Sequence, residues 1–563
     1  MVHTAPRMTE ATPPPARPLS NVTRYLCAAA YLDTVFRNDV TNELLTDPHR
    51  AVAPSSTGLD IGPVIRHCLR ARDLLLLRDV LLVVVIIAGL FIDLGLMLPW
   101  LVVLAVVSLG TVRTRSLPAQ LRFGTRAGTM TLTLIMIVAV ALFAAIAIAQ
   151  MSTFSGDDEF DGGGGGTTVL GWLLVAATVA ITICYRVLIG VILARELRPG
   201  AAETPTRPIS PVLAPRIDYL TSAQHANITL YSGEQPFVGA GTVTRAWAIA
   251  VELDRRASDP EREIPDIDPL ELYDFVRARL TQMRDEVAHP AESLTLDLSD
   301  HVIARGVLNR QRGAAHPLIV ASRPIGLLGR EAIRAIIRQP KSGMRYYQRV
   351  TINTAGQEIK DENDHLVMPA EDQEIVVSAF VHLAVEGRML YTEFVVTVLP
   401  PTADAYHLVD RLPHDSTGRI AVAALGVLRR QLLRDIVAAP FRLLRHGYLE
   451  LRQAFMRARP DDYVLYDFGA KASVRELGAT EEKFSYLQEL DSFKYTKLIG
   501  ERLNAAVLDF LEARDIDTSV YRQQVMAVIN NGTMISGGSF TGPTAVGAQA
   551  TVNAATPAGG AAK

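Results

Sequence analysis

The chain has 563 residues, 49% of them hydrophobic, a net charge of −3 and three cysteines. That length allows two or three domains, and the near-balanced charge gives no reason to expect a nucleic-acid partner. Cys27, Cys68 and Cys184 lie too far apart for a disulfide framework or a zinc site.

Residues 1–24 carry Pro13, Pro14 and Pro15 among small and polar residues, without the apolar stretch of a signal peptide, and are expected to form a disordered tail. A cytoplasmic helical segment is expected over 25–79. The apolar excess is then concentrated between Val80 and Leu193. Val80 to Val112 is a run of 33 residues with one charge, Asp93, and one proline, Pro99. As one helix it would reach about 50 Å, against a hydrocarbon core of about 30 Å. Two spans, about 80–95 and 97–112, turning over Asp93 to Pro99, fit better; a re-entrant hairpin is the alternative. Further spans are expected at 127–150 and 169–193, which makes a transmembrane region of about four helices over 80–193.

Arginines orient this region. Arg78 precedes it, Arg113, Arg115, Arg122 and Arg126 fill the connector after the hairpin, and Arg195 and Arg198 follow the last span. Positive flanks stay inside, so the plasma membrane is the expected location, with both termini cytoplasmic. The intervening loop faces out. Its Asp157, Glu159 and Asp161 stand at positions 1, 3 and 5 of a calcium loop, but Thr168 occupies position 12, where a bidentate glutamate is needed. With a run of glycines from Gly162, a solvated acidic loop is the simpler reading. Asp93 and Arg186 are the intramembrane charges, expected at different depths and so not paired with each other, with Arg186 snorkelling to the inner headgroups.

Residues 199–216 read as a linker and 217–401 as a cytoplasmic α+β domain. Strand-like segments lie at 227–231, 246–253, 346–353, 374–384 and 389–399, the last two joined by Glu386-Gly387-Arg388. Asp268 and Pro269 open a helix to about Val287. Gly239-Ala240-Gly241 reads as a turn, as do Asp297, Asp300 and His301 after a strand ending near Leu298. Residues 402–515 are helical, interrupted at Pro440. Within them Arg429, Arg430, Arg434, Arg442, Arg445, Arg452, Arg457 and Arg459 stand among apolar residues, a pattern that suits packing on a domain or, less simply, anionic lipid. Residues 516–563 are expected to form a flexible tail.

Tyr231-Ser232-Gly233 with Pro236-Phe237-Val238-Gly239, the exit Leu399-Pro400-Pro401, and Ile516-Asp517-Thr518-Ser519 before Asn530-Asn531-Gly532 and Ser536-Gly537-Gly538 resemble uncharacterised multi-pass membrane proteins of actinobacteria. That resemblance implies no activity. The tail also resembles bacterial amyloid-signalling motifs, although Gly537, Gly538, Gly542 and Pro543 interrupt its β-prone residues.

No HExxH, GxSxG or phosphate-loop pattern occurs, so no catalytic residue, cofactor or resident metal is expected. The function expected is that of a non-enzymatic, membrane-tethered signalling or scaffold protein. Its partners would be the bilayer and a protein bound through 217–515 or the tail segment 525–553, and a homo-oligomer is compatible with this. The alternatives are an oligomeric pore or stress effector and a membrane-bound enzyme of unrecognised class.

Overall fold

A computed structural model describes residues 18–54, 58–113, 164–201, 210–255, 266–287, 295–309, 317–320, 322–340, 343–355, 359–360, 365–368, 372–413, 416–428, 432–455, 459–480 and 486–530. Arg115, Arg122, Arg126, Asp157, Glu159, Asp161, the expected span 127–150 and the tail beyond Asn530 lie outside these residues, as does the side chain of Arg113. The chain divides into two compact units that interleave along the sequence: Met1–Arg37, Pro63–Arg207 and Ala405–Ala458 form one, and Asn38–Gly62, Pro208–Asp404 and Arg459–Lys563 the other. The expected division at 79, 216, 401 and 515 therefore changes. Segments that look like separate regions in sequence order complete one another's cores.

The described part of the first unit is mainly helical. It contains α1 (Asn21–Leu32), most of α3 (Ile61–Ile92), α4 (Leu94–Arg113) and α5 (Gly164–Glu196), while α2 (Thr34–Thr41) runs across the boundary between units. Ser20 caps α1 through its hydroxyl, and Arg24 in that helix is buried against Asp410, so the expected disordered tail ends before residue 24. Two described helices are long and apolar enough to cross a membrane, α3 and the Val169–Glu196 part of α5; the apolar part of α4, Leu94–Ala105, is shorter.

The break between α3 and α4 falls at Asp93 alone rather than across Asp93 to Pro99. Asp93 Oδ1 accepts the Leu96 N–H at 3.0 Å and so caps α4, which leaves Pro99 inside the helix. The two helices turn back toward a common apolar cluster, in which Leu82 and Leu104, equally far from Asp93 along the chain, lie with Ile436 and Ala439. A Cβ at Gly171 would come within 2.8 Å of the Asp93 carboxylate, so α5 passes the hairpin tip there. Among the described residues the unit also contains α9 (Thr417–Leu428) and α10 (Leu432–Phe455), with Pro440 inside α10.

The second unit is an α+β layer structure. Its sheet has the order β1 (Ile228–Tyr231), β3 (Thr295–Arg305), β7 (Met344–Ala355), β10 (Asp372–Glu386), β11 (Met389–Leu399) and β2 (Thr242–Glu252). Only β1 and β3 pair in parallel, so the sheet is mixed. Short pairs β4 (Val307–Asn309) with β12 (Leu465–Asp467), β5 (Ile319–Val320) with β6 (Arg323–Pro324), and β8 (Ile359–Lys360) with β9 (Leu366–Met368) decorate it.

β3 runs straight through Asp297, Asp300 and His301, where a turn was expected, because a strand with one polar face does not need apolar alternation on both. The Gly239-Ala240-Gly241 turn is present, with φ of +94° and +89° at its glycines, and a Cβ at Gly241 would lie 2.3 Å from the Val398 carbonyl oxygen.

α6 (Ala214–Ala223), α7 (Pro269–Val287), α8 (Arg330–Arg338), α11 (Tyr486–Glu512) and α12 (Ser519–Asn530) belong to the same unit. α6 begins inside the expected linker. Its Arg216 is buried and donates to the carbonyl oxygens of Leu44, Pro48 and Arg50 at 2.9, 2.9 and 3.1 Å.

The core between sheet and helices joins Val276, Leu280, Ile352, Phe394, Leu503 and Phe510 to Ile516, Tyr521 and Val525. The expected flexible tail thus starts too early, since its first fifteen residues close the core. Tyr521 is fully buried and its hydroxyl donates to Asn504 at 3.2 Å. Tyr521→Ala is expected to cost about 3 kcal/mol in equilibrium unfolding, as for other large buried side chains. The half-exposed neighbour Val520, replaced by Ala, is expected to change stability by no more than about 0.5 kcal/mol.

Candidate functional site

In the first unit three arginines and two aspartates converge from three helices. Arg78 and Asp79 come from α3, Arg186 from α5, and Asp435 and Arg442 from α10. Arg78 lies 2.7 Å from Asp79 and 3.2 Å from Asp435, and Arg186 also binds Asp435. Arg442 grips Asp79 in a fork, with Nε at 2.6 Å and Nη2 at 2.8 Å, and its Nη2 also reaches the Asp435 carbonyl oxygen at 2.8 Å. The Arg78 guanidinium stacks over Tyr185 at 4.5 Å. The side chain of Asp79 is 0% exposed and that of Arg78 2%.

The network corrects one expectation. Arg186 does not snorkel: like Arg78 it is held by Asp435, a residue some 250 positions downstream of Arg186 whose local sequence gives no sign of it. Asp93 and Arg186 do stay apart. From Gly171, beside Asp93, to Arg186 the rise along α5 is about 22 Å, and the same number of residues separates Arg78 from Asp93. Arg195 donates to the Thr417 hydroxyl at 2.6 Å, Arg198 is exposed, and Glu196 holds Arg70 through two bonds of 2.5 and 3.0 Å. Guanidinium groups keep their protons at any ordinary pH, so the cluster is suited to clamping helices rather than to moving protons.

A second polar constellation lies on the sheet face away from the main core. Glu393 on β11 accepts bonds from Tyr347 at 2.9 Å, Arg345 at 3.0 Å and Tyr391 at 3.2 Å. His382 packs its ring beside Tyr347, and burial lowers its pKa. Further along the face Arg349 donates to Ser378 at 3.1 Å and lies over the Phe380 ring; burial pulls its pKa down to about 10. His301 meets Thr229 at 3.2 Å, and burial, aided by Arg349, pushes its pKa down to about 3. None of these residues stood out in sequence except His301; the available signal was the every-second-residue placement of Arg345, Tyr347 and Arg349 along β7. Among the described residues no group of three or more His, Cys, Asp and Glu could hold a metal ion.

A family model for an AbeC-like domain matches residues 246–541, more than half of the chain. The chain belongs to the AbeC-like family. The AbeC-like domain begins within β2 and takes in β3, β7, β10 and β11 of the sheet but not β1, together with α9, α10 and the closing helices, so it contributes Asp435 and Arg442 to the charge network, while Arg78, Asp79 and Arg186 precede it. No curated protein and no solved structure shows significant similarity to the chain.

Two measurements check these sites. Asp435→Asn leaves Arg78 and Arg186 without their shared carboxylate and is expected to lower stability in detergent micelles by about 3–5 kcal/mol. Glu450→Gln, on the exposed part of the same helix, is expected to be near neutral. His301 is neutral in the folded chain down to about pH 3, whereas the unfolded chain protonates it near 6.5. The unfolded state therefore binds more protons between those values, and stability is expected to fall as pH drops below about 6.5 and to level off near the folded value. His301→Gln is expected to flatten that slope in thermal melts at stepped pH.

Proposed function

We propose that the chain is a multi-pass membrane protein with both termini on the cytoplasmic side, acting without catalysis as a membrane-tethered scaffold or signalling protein for a protein partner. Uncovered apolar surface carries the membrane part of this reading. Leu77, Val80, Leu81, Val84, Ile87 and Phe91 are exposed along α3, only 22% of whose most apolar stretch is buried. A core helix of a soluble protein would be mostly buried, and an apolar surface of this extent in water would drive association. Exposed Leu94, Leu98 and Val102 on α4, and Val169, Leu170 and Leu173 on α5, extend it around the hairpin. With α4 as the return arm and the apolar stretch 127–150 as a further span, the crossings come to four.

The non-catalytic part is supported by how the buried ionisable groups are used. Asp79 and Asp435 are saturated by arginine, and burial within the sheet lowers the pKa of His301 and His382. The partner would be met by the sheet-bearing unit or by the tail segment 525–553.

Single cysteines at Gly163 and Pro199, in intact cells, distinguish the orientations. A membrane-impermeant maleimide is expected to label the first and not the second, and labelling at Pro199 alone would invert the topology. Full-length protein in dye-loaded liposomes is expected to leave them tight, and dye release would favour a pore built from the spans.

A further inference from the structure

Helix α10 changes character at Pro440. Before it, Asp435, Ile436 and Ala439 are engaged by α3, α4 and α5. After it, Phe441, Leu444, Tyr448, Leu451 and Phe455 are exposed by 69%, 72%, 63%, 58% and 82%. Their alternating spacing of three and four residues places all five on one face of the helix, an unbroken apolar stripe left exposed among the described residues. Arg445 and Arg452 stand one position beyond Leu444 and Leu451, along one edge of the stripe, and Glu450 lies on the opposite face.

Three environments could take such a face, and the charges decide among them. The hydrocarbon interior is excluded by Arg445, His446, Glu450 and Arg452 within four turns of helix. A second copy of the same stripe would form a heptad seam whose inner positions alternate aromatic residues with leucine. Its flanking positions would be Arg445 and Arg452 on one side and Gly447 and Ala454 on the other, so no acidic residue would answer the arginines in either helix orientation. An anionic headgroup layer answers both features at once, since aromatic rings and arginine are what that boundary accepts.

We propose that Phe441–Phe455 of α10 is an in-plane foot, seated at the boundary between headgroups and acyl chains of an anionic leaflet, with the Arg78–Asp79–Asp435 cluster as its anchor to the spans. The foot rests on the membrane reading above. Continuity supports it: the same helix, within the same unit, is ion-paired to α3 and α5 at its start, at a level about 22 Å from the hairpin tip, close to one edge of a hydrocarbon layer about 30 Å thick.

The test uses the full-length chain in lipid nanodiscs, with Cys184 replaced by serine and single nitroxide labels at Leu444, Tyr448, Glu450 and Phe91. Accessibility to oxygen reports the acyl region, and accessibility to a nickel chelate reports water. With phosphatidylglycerol present, Phe91, Leu444 and Tyr448 are expected to be rich in oxygen and Glu450 in nickel. In phosphatidylcholine alone, Leu444 and Tyr448 are expected to move toward water while Phe91 does not. Arg445→Ala with Arg452→Ala is expected to shift the seated-to-free ratio of the foot about thirtyfold, the equivalent of about 1 kcal/mol per arginine. Nickel access at Leu444 and Tyr448 in both lipids, with Phe91 still in the acyl region, would overturn the foot and leave the membrane reading standing. Nickel access at Phe91 would overturn both, and spin–spin broadening at Tyr448 between copies would overturn the foot in favour of self-association.

Discussion

Two carboxylates hold the helical unit together. Asp79 and Asp435 are withdrawn from water, which costs several kcal/mol per ion unless each is matched at close range. Three guanidinium groups supply the match, and because they come from α3, α5 and α10 the cost of desolvation becomes a constraint on geometry. The hairpin between α3 and α4, the run of α5 beside it and the start of α10 can satisfy the five charges in one arrangement only. Apolar contacts such as Leu82 with Ile436 then fill the space that this arrangement leaves. Hydrophobic contact alone would permit the helices to slide; buried arginine pairs do not.

The sheet unit is organised by an asymmetry between its two faces. One face meets α7 and α11 through a continuous apolar core. The other carries histidine, arginine, tyrosine and glutamate, paired across adjacent strands at His301 and Arg349 and across the intervening β10 where Arg345 and Tyr347 reach Glu393, around a small apolar cluster of Ala240, Ile303, Tyr347, Phe380 and Val395. Glu476 braces that side. Its carboxylate accepts the N–H groups of Gly239 and Gly241 at 2.8 and 3.0 Å and completes a capping box with Ser473.

How much of this could be read from the residues depended on range. Local signals gave the strands at 389–399 and around 350, the Gly387 turn with its positive φ, the Asp268–Pro269 helix start and the apolar stretches. Each follows from period, cap or turn chemistry within a few residues. Long-range pairing was invisible. Nothing near Arg186 announces Asp435, nothing near Arg24 announces Asp410, and nothing in 38–62 announces that Ala51 belongs to the sheet's core. The polar sheet face was missed because its residues are spread over β3, β7, β10 and β11, and only strand register assembles them.

The interleaving of the two units has a consequence for biogenesis. Arg78, Asp79 and Arg186 leave the ribosome long before Asp435, which follows Arg186 by 249 residues. At a synthesis rate of about 5–20 residues per second, Arg186 waits roughly 12–50 seconds for its carboxylate. Through that interval α3 and α5 carry charge that their final partners do not yet neutralise, and on the proposed membrane reading lipid headgroups or the insertion machinery would hold it. The side-chain packing of α3 and α5 is finished only after most of the sheet has been made.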